Sequence, residues 1–153
     1  MLVGILSDTH GLMRPEALDA LSGSNIIIHA GDVGGPEILE KLRAIAPVFA
    51  VRGNVDTPAW ADTLPNVQTV PVGMHNFYVL HNILELPIDP VEAGIAAVIF
   101  GHSHKPSIET RNGVVYLNPG SAGPRRFKLP ICVARVEVSG ARIEPTIVAL
   151  NIR

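Results

Sequence analysis

Short apolar runs that stop abruptly at a turn set the tightest limit on what this chain can fold into. Residues 3–6, 25–29 and 48–51 are such runs, each too short to be a helix. They read as buried parallel strands. Two helical stretches separate them. In Pro15–Leu21 the proline suits a first-turn position, and Ala17, Leu18 and Leu21 form one stripe, with Gly23 ending the segment. Pro36 opens the second, Ile38, Leu39, Leu42 and Ile45 share its face, and Pro47 closes it. A β-α-β-α-β rhythm of this kind argues for a parallel sheet built of right-handed crossovers.

The second half changes character. Val67–Val72 and residues 77–80 are strand-like and joined by a glycine-bearing turn, and residues 97–100 form another buried strand. Asp89 to Gly94 reads as a short helix capped by Asp89, with Pro90 in its first turn. Asn112-Gly113 predicts a hairpin between Ser107–Arg111 and residues 114–117. Ser139-Gly140 predicts a second, between residues 130–138 and 141–150. The expected fold is α/β, with two packed sheets and helices outside, as one domain over residues 1–153.

Composition narrows the function. The chain is 47% hydrophobic and 17% charged, which suits a sheet covered on both faces, but no apolar run approaches the roughly 20 residues needed to span a bilayer. The apolar start, Met1 to Gly4, lacks a basic flank and a cleavage pattern, so it reads as a strand and not a signal peptide. One cysteine, Cys132, excludes an internal disulfide and suits a reducing compartment; the expected location is cytoplasmic. A net charge of −2 and only 5% aromatic residues give no basic surface or stacking platform for nucleic acid. A local basic cluster, Arg125, Arg126 and Lys128, leaves two options: steering an anionic substrate, or lining a contact in a homo-oligomer.

Seven residues look like parts of one two-metal site: Asp8, His10, Asp32, Asn54, His81, His102 and His104. Asp8, Asp32, Asn54 and His102 follow expected strands closely, and in an open α/β sheet ligands collect beyond the strands' carboxyl ends. Asp8 and His10 are two apart, as are His102 and His104, and residues i and i+2 of an extended chain face the same side. Gly31, Gly53 and Gly101 precede ligand positions, where a strand-to-loop turn needs close or sharp backbone geometry. His29, inside an apolar run, reads as a satisfied core or supporting histidine. Asp56 either orients the neighbouring loop or is a plain turn residue.

The order Asp8-x-His10, Gly31-Asp32, Gly53-Asn54-x-Asp56, a lone His81 and Gly101-His102-x-His104 resembles the calcineurin-like metallophosphoesterase superfamily. The likeness extends to Asn118-Pro119-Gly120-Ser121, and within the superfamily the chain resembles the small bacterial and archaeal phosphodiesterases, a group related to the retromer metallophosphoesterase-like subunit. It implies a four-layer αββα sandwich of two mixed β-sheets flanked by helices. It also implies a dinuclear centre: Asp8, His10 and His104 on one metal, Asn54, His81 and His102 on the other, Asp32 bridging. A bridging hydroxide would attack the phosphorus of a small phosphoester, with Asp8, Asp32, Asn54 and His102 acting through it. The mixed oxygen and nitrogen ligand set suits Mn²⁺ first, with Zn²⁺, Ni²⁺, Fe²⁺ and Co²⁺ as alternatives.

Two positions depart from the family pattern. Many members carry a histidine after the Gly-Asn pair that protonates the leaving group; here Val55 stands there and cannot donate. The His81 segment, Val79-Leu80-His81-Asn82, lacks the second histidine and glycine usual in the family. The expected activity is therefore a metal-dependent phosphodiesterase. A phosphomonoesterase or nuclease of the same superfamily and a non-catalytic protein-binding scaffold are the alternatives.

Overall fold

The computed structural model describes residues 1–56 and 59–152. Strands β1 (Leu2–Leu6), β2 (Ile26–His29) and β3 (Val48–Ala50) are connected through helices α1 (Pro15–Leu21) and α2 (Pro36–Arg43). β1 and β2 pair in parallel, as do β2 and β3. The hairpin β9 (Cys132–Ser139) and β10 (Arg142–Ala149) joins antiparallel along the free edge of β1. The first sheet thus has the order β10-β9-β1-β2-β3. In the second, β4 (Val67–Val72), β5 (His75–Leu80), β6 (Ala97–Ile99), β7 (Ser107–Arg111) and β8 (Val114–Asn118) take the order β4-β5-β6-β8-β7. There β5, β6 and β8 run parallel, and β4 and β7 are antiparallel edges.

Strand alternation then sorts the side chains into layers. Val3, Ile5, Ile28, Val70, Phe77, Ile99, Leu117 and Val136 meet between the sheets as the central core. Leu6, Ile27 and Val133 face the other way, against Ala17 and Leu21 of α1 and Ile38 and Leu42 of α2. The outer face of the second sheet, with Tyr78, Leu80 and Val98, is covered by Ile83, Leu86, Ile88 and Ile95. Two mixed sheets with helical cover match the sandwich implied by the sequence, but the fourth layer is thin. It consists of a 3₁₀ turn, Ile83–Glu85, and the segment after it.

That segment corrects one expectation. Asp89 caps as foreseen, its Oδ1 accepting the Val91 N–H at 3.0 Å. The residues after it form hydrogen-bonded turns and not a helix. Ala93 reaches back to Asp89 and Ile95 to Pro90, then Gly94 at φ +72° reverses the chain. Too few residues separate the cap from buried Ile95 for a helix to propagate. The second hairpin loop also sits one residue later than expected: Ser139 pairs with Arg142, so Gly140 and Ala141 form the loop. Among the described residues no helix is long and apolar enough to cross a membrane.

Phe77 is the largest fully buried side chain and lies between the sheets. Phe77→Ala should destabilise the protein by about 3–5 kcal/mol. Urea unfolding followed by circular dichroism measures this; a loss below about 1 kcal/mol would show that the inter-sheet core collapses around the cavity.

Candidate metal centre

The loops that carry the seven candidate ligands leave the carboxyl ends of parallel strands. Asp8 and His10 follow β1, Asp32 follows β2, Asn54 follows β3, His81 follows β5, and His102 and His104 follow β6. Backbone hydrogen bonds carry the pairing past the strand ends. Asp8 N–H donates to Gly31 O, His10 N–H to Asp32 O, and Gly101 N–H to His81 O, all near 3 Å. The loops are therefore fixed relative to one another before any side chain acts.

The two carboxylates share one design. Asp8 Oδ2 accepts the Ser7 hydroxyl at 2.7 Å and the His102 N–H at 3.2 Å. Its Oδ1 is buried without a hydrogen-bond partner, 3.3 Å from His104 Nε2, 3.7 Å from His10 Nε2 and 3.8 Å from His81 Nε2. Asp32 Oδ1 accepts the Val55 N–H at 3.0 Å, while Oδ2 faces His81 Nε2 at 3.1 Å and His10 Nε2 at 3.5 Å. Each carboxylate thus has one oxygen anchored and one aimed at imidazole nitrogens. Among the described residues the buried side-chain polar atoms with no partner are Asp8 Oδ1, His10 Nε2, His81 Nε2, His104 Nδ1 and Arg52 Nε. Four of the five belong to this cluster. Buried polar atoms are rarely left unpaired, so such a concentration fits a cation that they would coordinate.

Two groups of three ligand atoms lie within 4.8 Å of one another: Asp8, His10 and His104, and Asp8, Asp32 and His81. Asp8 belongs to both, and Asp32 Oδ2 stands between His10 and His81. His102 lies beside these groups, its ring edge-on to His81 at 5.2 Å between centroids. Asn54 is exposed and lines a cleft with His81. The structure therefore draws five of the seven expected residues into one knot, with the other two at its border.

Tautomer and charge are set locally. His81 Nδ1 donates to Ala30 O at 2.7 Å, because a carbonyl only accepts, which leaves the lone pair of neutral His81 on Nε2, available to a cation. Burial pushes the Asp8 carboxyl up, but the nearby imidazoles and the Ser7 hydroxyl outweigh it and hold it below its ordinary value. Burial likewise raises Asp32, yet His81, the Val55 N–H and His10 bring it down to about 2. The Asp8 carboxylate raises His10. Burial depresses His81, but Asp32 and Asp8 more than reverse this. For His104 burial prevails and lowers it.

The backbone is strained here. Asp8, His10, Asp32, His102 and His104 all have φ between +47° and +73°. Among the described residues only Asn112 and Phe127 share this left-handed region without being glycine. Asp and His tolerate it better than most residues, yet each instance costs roughly 1–3 kcal/mol. A concentration of five in one cluster fits a candidate functional site. The glycines serve a purpose that spacing did not reveal. A Cβ on Gly53 would collide with Asp32, and one on Gly101 with Ser7 Oγ and Asp8 Oδ2. Each glycine makes room for a carboxylate from a different segment.

Supporting residues complete the site. Asp56 is fully buried and accepts N–H groups from Val33, Gly34 and Gly53, each at 3.0 Å, tying the loops after β2 and β3 together. Asn118 Nδ2 donates to Gly101 O and Ser103 Oγ, which holds the His102–His104 turn. Ser121 Oγ donates to the Asp8 carbonyl. Ser7 carried no sequence signal beyond its place beside Asp8.

Residues 1–141 match the family model described as the calcineurin-like phosphoesterase superfamily domain. A protein of Methanothermobacter thermautotrophicus, described as a probable metallophosphoesterase, is 34% identical over 159 aligned positions, covering 97% of this chain and 92% of that one. The chain belongs to the calcineurin-like phosphoesterase superfamily. Solved structures share the fold. An archaeal phosphodiesterase superposes with a TM-score of 0.79 at 19% identity, covering 97% of this chain and 100% of that one. Vps29 of Entamoeba histolytica complexed with Zn²⁺ superposes at 0.75 and 22% identity, covering 99% and 100%.

One histidine of this superfamily member stands apart from the candidate ligand set. His29 is fully buried; its Nδ1 accepts the Gly31 N–H at 3.1 Å, so Nε2 carries the proton and donates to Thr9 Oγ1 at 3.0 Å. The Thr9 hydroxyl in turn donates a hydrogen bond to Val33 O at 2.7 Å. Burial drives the His29 pKa from 6.5 to about 4. Between these values the unfolded chain binds a proton that the folded protein excludes. This contribution to stability is intact above about pH 6.5 and is lost as pH falls toward 4, by up to about 3 kcal/mol. Urea unfolding between pH 7 and pH 4 measures it. His29→Gln keeps a donor for Thr9 without titrating, so its stability should change less over that interval; parallel curves would assign the acid sensitivity elsewhere.

Proposed function

We propose that this phosphoesterase is a metal-dependent phosphodiesterase of small substrates. Asp8, His10, Asp32, Asn54, His81, His102 and His104 would hold two divalent ions, with Mn²⁺ the first choice. The observation that carries this reading is the pair of anchored carboxylates whose other oxygens face the unpartnered Nε2 atoms of His10 and His81. Divalent ions held there supply Lewis acidity, which activates water near neutral pH and offsets charge on a phosphoryl group.

The chain's own groups prepare the site for that chemistry. Asp8 and Asp32 are held below the ordinary carboxylate range, so both offer ionised oxygens at neutral pH. Anchoring by Ser7, the His102 N–H and the Val55 N–H prevents either from swinging away. Arg126 shares a pocket of about 230 Å³ with His10 and His104, where its charge faces an incoming anion. Arg125 lines the same pocket, and its guanidinium also donates to Leu129 O of its own loop.

Asp32→Ala removes an anion that faces two histidines, whereas Asn54→Ala removes an exposed neutral amide. With Mn²⁺-loaded protein and bis(p-nitrophenyl) phosphate, the loss of kcat/KM should be at least about tenfold greater for Asp32→Ala. Equal, mild losses would sink the assignment.

Val55 offers no proton to the departing alcohol. General acid help is worth about 10²–10⁴-fold, so poor leaving groups should suffer most. A series of substituted aryl phosphodiesters tests this: kcat should fall steeply as the phenol pKa rises. A flat series would mean that another residue supplies the proton.

A further inference from the structure

Thr9 stands between two candidate ligands, and both of its neighbours are strained. Asp8 has φ +58° and His10 φ +47°, a region in which a residue other than glycine costs roughly 1–3 kcal/mol. A turn of this kind relaxes unless its surroundings hold it, and the Asp8 and His10 side chains would swing with it. Thr9 is fully buried, and so is His29 on β2. Thr9 Oγ1 lies 3.0 Å from His29 Nε2 and 2.7 Å from Val33 O. On the other side Gly123 packs so closely on the Thr9 carbonyl that a Cβ there would collide with it.

Donor and acceptor chemistry permits one arrangement of these groups. The Gly31 N–H only donates, so His29 Nδ1 accepts it and the neutral ring carries its proton on Nε2. The Val33 carbonyl only accepts, so the Thr9 hydroxyl donates to it and accepts from His29 Nε2. Both ring nitrogens of His29 are thereby engaged, which leaves no lone pair for a cation and separates His29 from the candidate ligands. Backbone bonds run alongside: Asp8 N–H to Gly31 O, His10 N–H to Asp32 O and Gly11 N–H to Val33 O. The main chain thus stitches the Asp8–Gly11 turn to the segment after β2, and Thr9 adds a side-chain tie to β2 itself. A β-branched residue suits the position, because its stiff χ1 keeps the hydroxyl aimed.

We propose that Thr9 and His29 form a latch that holds Asp8 and His10 in their ligand-presenting geometry before any cation arrives. Both are then positioning residues that act through Asp8 and His10 and touch neither ion nor substrate. The inference rests on the metal-centre reading above and deepens it.

Titrating metal-free protein with Mn²⁺, followed by calorimetry and by the electron paramagnetic resonance signal of the free ion, reads the latch without turnover. Thr9→Val keeps the branched shape and removes the hydroxyl, leaving His29 Nε2–H and Val33 O unmet. It should bind Mn²⁺ about ten- to a hundredfold more weakly than wild type. Thr9→Ser restores the hydroxyl and should regain most of the affinity. A merely structural role would lower the urea midpoint of metal-free Thr9→Val and leave the Mn²⁺ affinity of its folded fraction unchanged; that result overturns the latch. So does a Thr9→Ser protein as weak as Thr9→Val. If Thr9→Val does not fold, hydrogen exchange of metal-free wild type decides the matter. The His10 and Gly11 amides should already exchange slowly and change little when Mn²⁺ is added. Fast exchange that slows only with Mn²⁺ would show that the ion, and not the latch, forms the turn. Wild type that takes up neither Mn²⁺ nor Zn²⁺ would remove the metal reading itself, and the latch with it.

Discussion

Asp8 is the point at which the two sheets are fastened at the edge that carries the site. It leaves the end of β1 in the first sheet, and its side chain is gripped by the His102 N–H from the loop after β6 in the second. Its carbonyl is held by Ser121, from the loop after β8. One fully buried carboxylate is thus committed to structure through one oxygen and left unmet at the other. An unpaired buried oxygen is strongly destabilising unless something cationic meets it. The arrangement makes sense for a protein in which binding a metal and aligning the sheets are coupled.

The same division between anchoring and binding recurs around Asp8. Asp56 commits a buried carboxylate entirely to backbone N–H groups, which frees Asp32 from tying down its own loop. His29 remains neutral and supports Thr9, while His81, with its Nδ1 proton on Ala30, presents Nε2 outward. These two imidazoles differ in role because they differ in environment. At His29 burial outweighs the pull of Asp8, Asp56 and Asp32, whereas at His81 the direct contact with Asp32 and the charge of Asp8 outweigh burial. Left-handed backbone at five of the candidate ligand positions lets short loops turn their side chains back over the strand ends. The sandwich core and the pairing that continues past the strands offset the strain.

Much of the fold was legible because each element carried its own local signal. Pro15–Leu21 and Val67–Val72 coincide with the elements read from the sequence, since a proline start and an apolar stripe, or a bounded alternating run, needs no distant partner to be recognised. The failures were equally local. Asp89 signalled a helix cap, but whether a helix follows depends on where Ile95 must be buried, and no short window contains that fact. Ser139 was placed in the turn; cross-strand register put it on the ladder.

The sequence by itself determined which residues were chemically able to bind metal, the order of strands and helices that delivers them, and the loss of a proton donor at Val55. Side-chain type and short-range periodicity are written in the chain. Tertiary structure alone decided that Gly53 and Gly101 make space for carboxylates from other segments, and that Asp8 is shared between both candidate ligand groups. Those facts depend on which loops meet across the two sheets, and proximity between residues distant in the chain has no local signature.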